Sequence, residues 1–172
     1  MSKTHQKIEL VANILIIVVA LLLGGVLVQK YFFASSSQMA ANQPRVEPKV
    51  GAKMEMRNVN FTEQPKTLVL ALQTGCRFCN DSAPFYKRVI ESVKDKNVKL
   101  VAVFPTAVEE SAAHLSKIGL SNMEVKQSPL KGLDVSGTPT LILTNEKGEI
   151  TDYWVGKLPP DKEAEVLNKL NS

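Results

Sequence analysis

The longest apolar stretch of the sequence lies near its N-terminus. From Ile8 to Val28 the only polar side chains are those of Glu9 and Asn13. A helix needs roughly 20 apolar residues to cross a bilayer. The pattern therefore predicts one transmembrane helix over residues 10–30, after a short cytoplasmic segment of residues 1–9.

A cleaved signal peptide is the alternative interpretation of this stretch, because Lys3 and Lys7 give it a basic start. Residues 31–34, Tyr-Phe-Phe-Ala, offer a poor small-residue cleavage site, so an uncleaved signal anchor is favoured. Only Lys30 follows the span closely, and the positive-inside rule then leaves the N-terminus in the cytoplasm. We expect a single-pass protein of the cytoplasmic (inner) membrane whose C-terminal part is extracytoplasmic, that is, periplasmic.

The chain after the span changes in composition. From Ala34 to about Lys53 it is rich in Ser, Gln, Asn, Ala and Pro and has no apolar periodicity. Such segments are flexible or partly extended. We predict a tether over residues 31–53 and a globular domain over residues 54–172, which is long enough to bury one core.

Apolar runs inside the domain predict its strands. Residues 67–72, 98–104 and 140–144 are mainly apolar, as is typical of strands buried on both faces. A turn at 145–148 joins the third run to residues 149–155, which predicts a hairpin. Looser patterns predict an edge strand at 54–61 and a short strand at 123–125.

Helical spacing of apolar residues appears after Cys79, at 107–118 and at 160–170, with a helical turn predicted at 129–133. Pro84 should kink the first of these helices near its start, and Gly119 should end the second. On the second helix His114 is expected on the solvated face. The order of elements predicts an α/β domain with a mixed central sheet and helices on both faces.

Composition and charge exclude several classes of protein. The 172 residues suit one domain with an appendage, and the net charge is only +4. The basic residues are not interleaved with aromatic ones, so a nucleic-acid surface is not indicated. Two cysteines are too few for a disulfide-scaffold protein.

Those two cysteines, Cys76 and Cys79, carry the chemistry. They flank Arg77 and Phe78 at the end of the first buried strand, where a helix beginning at Cys76 would bring the sulfurs within bonding distance. The free N–H groups and dipole of such a helix stabilise a thiolate at its first residue, and Arg77 adds a cation. We therefore expect Cys76 to attack a partner and the more buried Cys79 to resolve the mixed disulfide.

Other functions for the cysteine pair are less favoured. A disulfide that closes so short a loop restricts the unfolded chain very little, which argues against a purely structural staple. A tetrahedral metal site needs more ligands, and the only histidines are His5, on the far side of the predicted span, and His114. Haem attachment requires a histidine after the second cysteine, where Asn80 stands.

With these residues the domain resembles the thioredoxin fold, and in particular the membrane-anchored, outward-facing thioredoxin-like reductases of cytochrome maturation. Cys76 and Cys79 match the family's nucleophilic and resolving cysteines. The resemblance implies a cis proline at Pro139, in the loop that faces the disulfide, and a substrate-binding backbone at Thr138. It implies no cofactor beyond the redox-active disulfide and no metal.

The sequence departs from the family pattern at several positions. Gly75 replaces the tryptophan before the first cysteine, and Leu70 replaces a buried aspartate, so no obvious base serves Cys79. Glu63, Asp81 or a glutamate of the segment between 104 and 137 are candidates. Arg77 and Phe78 replace the Gly-Pro pair and are expected to tune the thiol pKa values and the potential.

Three functions remain open at this point. The first is a reductase that takes electrons from a membrane thiol carrier and passes them to disulfides of extracytoplasmic proteins. The second is an oxidase that inserts disulfides and works with a quinone-linked membrane partner. The third is a non-catalytic copper carrier with both thiols as soft ligands. No inserted helical domain of the kind found in dedicated oxidases is evident, which favours the reductase.

Overall fold

The structure, a computed structural model, describes residue 15 and residues 17–21, 47–56, 58–121 and 123–172. It divides into two units, Met1–Pro44 and Arg45–Ser172. In the first unit the described residues are helical and exposed. The rest of the predicted span, residues 1–9 and the tether up to residue 46 lie outside the described residues. Over the described part of the chain, no helix combines the length and hydropathy that crossing a membrane requires.

A five-stranded mixed sheet forms the centre of the second unit. Its strands are β1 (Lys66–Ala71), β2 (Val98–Phe104), β3 (Glu124–Gln127), β4 (Thr140–Asn145) and β5 (Ile150–Val155), in the spatial order β3-β2-β1-β4-β5. Strands β1, β2 and β3 are parallel, whereas β4 runs antiparallel to both β1 and β5. The C-terminal ends of β1, β2, β3 and β5 therefore meet the start of β4 at one edge, which we call the upper edge.

The helices are α1 (Arg77–Asp81), α2 (Ala83–Val93), α3 (Val108–Lys117) and α4 (Pro160–Asn171), with 3₁₀ helices at Phe61–Glu63 and Leu130–Leu133. Pro84 lies in the first turn of α2, where its missing N–H is tolerated. The predicted kink is thus a break at Ser82 that separates α1 from α2. The predicted strands at 67–72, 98–104 and 123–125 and the hairpin are confirmed, with small shifts of their ends.

The predicted edge strand at 54–61 is wrong. An isolated antiparallel bridge between Lys53 and Glu149 lies just before this segment, and the segment itself leads into the first 3₁₀ helix. Asn58 has a positive φ of 68°, which interrupts an extended backbone. Met54 and Val59 are nevertheless buried, so the apolar pattern marked burial correctly but not the strand.

Buried side chains form two clusters, one on each face of the sheet. Alternation along β1 sends Leu68 and Leu70 to the first cluster and Val69 and Ala71 to the second. All four α-helices contribute to the first cluster. Among the described residues, the second cluster contains no residue of an α-helix. The face of the sheet that carries this cluster is therefore covered by 3₁₀ helices and loops, and the prediction of helices on both faces holds there only for 3₁₀ helices. The connections from β1 to β2 and from β2 to β3 move in the same direction across the sheet. Because connections between parallel strands are right-handed, α2 and α3 lie on the same face.

The segment 47–56, which we call the strap, lies along the start of β5. Gly51 N donates to Ile150 O at 2.8 Å, Ile150 N donates to Ala52 O at 2.9 Å, and Met54 N donates to Gly148 O at 2.8 Å. The Tyr153 hydroxyl donates to Glu47 at 3.1 Å. The last residues of the predicted tether thus cover part of an edge strand.

Candidate active site

A disulfide between Cys76 and Cys79 lies at the upper edge, directly after β1. Cys76 is the N-cap of α1, and the Cα atoms of the two cysteines are 5.2 Å apart. Gly75, with φ of +78°, adopts a left-handed conformation that most residues avoid. The glycine at this position therefore allows the chain to turn from strand to helix just before the first cysteine.

The two sulfurs have different surroundings. Cys79 is only 2% exposed and belongs to the first core cluster, whereas Cys76 is half-buried. Cys79 N lies 3.1 Å from Cys76 Sγ and donates to it. Such an N–H group at a helix N-terminus stabilises negative charge on sulfur, so the geometry favours a thiolate at Cys76 once the disulfide is reduced.

The loop before β4 forms the wall opposite the disulfide. The Thr138–Pro139 peptide bond is cis, in agreement with the resemblance, and Thr138 O lies 3.5 Å from Cys76 Sγ. Gly156 N donates to Pro139 O at 2.7 Å, and Thr140 Oγ1 donates to Gly137 O at 2.7 Å. These hydrogen bonds fix the loop so that the half-buried Thr138 borders the sulfur.

The structure places Arg77 and Phe78 on the surface of α1. The Arg77 side chain is 88% exposed, and its Nε lies 3.9 Å from Asp81 Oδ2. Lys157 Nζ lies 3.8 Å from the same oxygen. Asp81 thus offsets part of the positive charge that was expected to act on Cys76. Phe78, which lies between the two cysteines in the sequence, is 55% exposed.

Three of the candidate bases for Cys79, which are Glu63, Glu124 and Asp81, are not placed beside it. Leu70 is buried. Glu63 lies before β1, at the opposite edge of the sheet, and pairs with Lys99 at 2.5 Å, where its hydrogen bond raises the pKa of Lys99. Glu124 pairs with Lys99 at the same edge. Asp81 is two positions from Cys79 on a helix, and residues so spaced do not face the same side.

A chain of hydroxyl groups that the sequence analysis missed borders the site. Thr74 Oγ1 lies 3.4 Å from Thr106 Oγ1, which is 2.9 Å from Ser111 Oγ. Ser111 is fully buried and donates to Ala107 O at 2.8 Å. The chain links the loop before Cys76 to the start of α3. Serine and threonine hydroxyl groups leave no periodic pattern in the sequence, so only the register of β1 against β2 could have suggested that these residues lie together.

Three buried side-chain polar atoms have no hydrogen-bond partner among the described residues: Thr67 Oγ1, Tyr86 Oη and His114 Nε2. Burial raises the pKa of Tyr86, and the nearby Ser82 hydroxyl opposes part of that rise. The two hydroxyl groups are nevertheless not placed to form a hydrogen bond. His114 is half-buried, and its ring forms a T-shaped pair with that of Phe104, at 6.2 Å between ring centroids. The expectation of a solvated His114 is therefore wrong.

Solved structures with the same arrangement of elements are numerous among thiol-disulfide proteins. The chain is similar to a thiol-disulfide isomerase from Corynebacterium glutamicum, with a TM-score of 0.56 and 18% identity over 77% of this chain and 98% of that one. It is also similar to a thiol:disulfide interchange protein DsbE from Chlorobium tepidum, with a TM-score of 0.54 and 23% identity over 64% and 81%.

A third similar structure is StoA from Bacillus subtilis, with a TM-score of 0.52 and 20% identity over 75% of this chain and 100% of that one. No protein-family model and no curated protein matches the sequence. Identities this low establish the fold alone. The mixed sheet, the disulfide at the start of α1 and the cis proline beside it together identify the domain as a thioredoxin-like fold.

Proposed function

We propose that the protein is a membrane-tethered, extracytoplasmic thiol-disulfide oxidoreductase that works as a reductase. One observation carries the proposal: Cys76 Sγ lies between a helix N-terminal N–H at 3.1 Å and the carbonyl of Thr138 at 3.5 Å, before a cis proline. This position suits a sulfur that must ionise, attack and then be released. The similar structures from Corynebacterium and Chlorobium are described as proteins of the same reaction class.

The reaction is a pair of thiol-disulfide exchanges. The Cys76 thiolate attacks one sulfur of a partner disulfide, forms a mixed disulfide, and releases the second partner sulfur as a thiolate. Cys79 then loses its proton to the solvent or to that thiolate and attacks Cys76 Sγ. The Cys76–Cys79 disulfide forms and the first partner sulfur leaves. Two electrons pass to the partner, and a dithiol carrier in the membrane restores the reduced enzyme.

Two features support the reductase direction. Between β2 and β4 the described chain holds α3, β3 and one 3₁₀ helix, rather than an inserted helical domain. Lowering the pKa of Cys76 favours the reduced form, but Asp81 offsets the charge of Arg77 and moderates this effect. A strong oxidant depends on a strongly stabilised reduced form, which these contacts do not favour.

The membrane location rests on the sequence. Residues 10–30 as a signal anchor would hold the domain outside the cytoplasm, where a glutathione buffer is absent and a dedicated partner must set the redox state. A disulfide-forming oxidase with a quinone-linked partner remains the second candidate. A copper carrier is the third, although no group of three or more potential metal ligands occurs among the described residues.

One experiment separates the three functions. The full-length protein, purified in detergent, is equilibrated with glutathione or dithiothreitol buffers, and its reduction potential and bound copper are measured. A potential near that of thioredoxin, roughly −270 mV, is the expected result. A potential well above that of glutathione would indicate the oxidase, and stoichiometric copper would indicate the carrier.

A further inference from the structure

The loop between β1 and α1, residues 73–75, is attached weakly to the rest of the domain. Gln73 and Gly75 are exposed, and a Cβ atom at Gly75 would meet no other atom within 4 Å, so packing does not fix either residue. The hydrogen bond from Cys76 N to Gln73 O, at 3.2 Å, closes the loop on itself. Among the described residues, the only side-chain hydrogen bond from this loop to another segment joins the half-buried Thr74 to Thr106, at 3.4 Å between the Oγ1 atoms.

Thr106, by contrast, belongs to a firmly held segment. Phe104, at the end of β2, is fully buried, and Ser128 N donates to Phe104 O at 2.9 Å. The Gln127 side chain donates to Pro105 O at 3.3 Å. Since β3 lies on the side of β2 away from β1, these bonds fix the end of β2 from behind. Thr106 is therefore a rigid support for the weakly attached loop.

The direction of the hydroxyl chain follows from the single proton that each hydroxyl group can donate. Ser111 Oγ lies 2.8 Å from Ala107 O, which can only accept, so the Ser111 proton points there. Thr106 then donates across 2.9 Å to Ser111 Oγ, and Thr74 donates to Thr106. Because Ser111 is fully buried, water does not compete for this end of the chain. Ser111 thus orients the Thr106 oxygen as an acceptor for Thr74.

The loop that Thr106 supports sets the position of the reacting sulfur. Gly75 and Cys76 turn the chain from strand to helix, and Cys76 Sγ lies 3.1 Å from Cys79 N and 3.5 Å from Thr138 O. A hydrogen bond weakens steeply as its angle departs from linearity. A movement of the loop would therefore weaken the N–H contact that stabilises a thiolate on Cys76.

We infer that Thr106 is a positioning residue for thiol-disulfide exchange: through Thr74 it fixes the loop that carries Cys76, and thereby the orientation of the Cys76 sulfur toward Cys79 N. Thr106 acts through another residue and is not a catalytic residue. The inference rests on the proposed function, because it concerns the same reaction at the same sulfur.

The pH profile of Cys76 alkylation by iodoacetamide, in full-length protein that carries Cys79→Ser, tests the inference. Adding Thr106→Val should raise the midpoint of the profile by about half to one pH unit, a roughly three- to tenfold smaller acid dissociation constant, as expected for a partial loss of the N–H contact. Thr106→Ser keeps the hydroxyl group and should restore the midpoint. Thr151→Val is the matched control, because it removes a hydroxyl that donates to Leu143 O at 3.2 Å near the opposite edge; it should leave the midpoint unchanged.

A second variant tests the route through Thr74. Thr74→Val should shift the midpoint as far as Thr106→Val does, and the double variant should shift it no further, because both changes remove one contact. Additive shifts would overturn the inference, as would an unchanged midpoint in folded Thr106→Val protein. If Thr106→Val does not fold, an unchanged midpoint in Thr74→Val, a change in the loop itself, overturns the inference in the same way.

Failure of the proposed function would look different. If the Cys79→Ser protein alone has the same midpoint in buffer as in urea, the fold does not activate Cys76, and the proposed function fails before either threonine is changed. A lowered midpoint that does not respond to Thr106 or Thr74 would leave the proposed function standing and overturn only the inference.

Discussion

The different surroundings of the two sulfurs lead to a quantitative prediction for variants that retain one cysteine each. In the Cys79→Ser variant, Cys76 keeps the backbone N–H that lies 3.1 Å from its sulfur. A hydrogen bond to a charged acceptor contributes about 1.5–3 kcal/mol, which corresponds to a roughly 12- to 160-fold larger acid dissociation constant of the thiol. A more acidic thiolate is intrinsically less nucleophilic, with a Brønsted coefficient of about 0.4–0.5. At pH 7, where an ordinary thiol is already a few per cent ionised, the net gain in alkylation rate is then about two- to fourfold.

Burial adds to this difference, because Cys79 is 2% exposed and desolvation disfavours its thiolate. We therefore expect the Cys79→Ser variant to react with iodoacetamide at pH 7 about tenfold faster, or more, than the Cys76→Ser variant. Mass spectrometry of quenched samples gives both rates, and the same variants in urea, where the rates should converge, serve as the control. Similar rates for the two folded variants would refute the reasoning that assigns Cys76 as the nucleophile.

Four further predictions concern single side chains. Pro139→Ala should accumulate mixed disulfides or slow turnover, seen on non-reducing gels; normal turnover and partner binding would contradict its role. Thr106→Val should lower the free energy of unfolding by about 0.5–1.5 kcal/mol and Thr106→Ser by less, as measured in urea. Tyr86→Phe should leave stability unchanged or raise it by about 1 kcal/mol, because it removes a buried hydroxyl without a partner; a marked loss would reveal a missed partner. Burial raises the pKa of Glu124, but Lys126 and Lys99 lower it more, so that this pKa lies below its usual range. The contribution of Glu124 to stability is therefore present at neutral pH and lost as the pH falls through the lowered pKa, so Glu124→Gln should make the free energy of unfolding depend less on pH in acid.

Much of the fold could be predicted because its strands are buried on both faces. The apolar runs around Val69, Val101 and Ile142 gave three neighbouring strands of the sheet, and the turn before Gly148 gave the hairpin. The arrangement of helices could not be obtained in this way. Which face a helix covers depends on the direction of each step between strands, and a helical apolar stripe carries no information about that direction.

The site was predictable where it depends on local sequence. The cysteine spacing and Pro139 identified the two elements that the structure brings together. The positions of the candidate bases relative to Cys79 and the surroundings of His114 could not be predicted, because they depend on contacts between distant segments. Glu63 is close to β1 in sequence, yet it lies at the opposite edge of the sheet, where Lys99 accounts for its charge.

The strap has a consequence for how the domain can be shortened. A fragment that begins at residue 54, the boundary that composition suggested, would lack the backbone groups that pair with Ile150 and the carboxylate that accepts from Tyr153. The freed edge of β5 would then be open to pairing between molecules. A soluble version for crystallisation should therefore retain Glu47, since trimming by composition alone would invite aggregation.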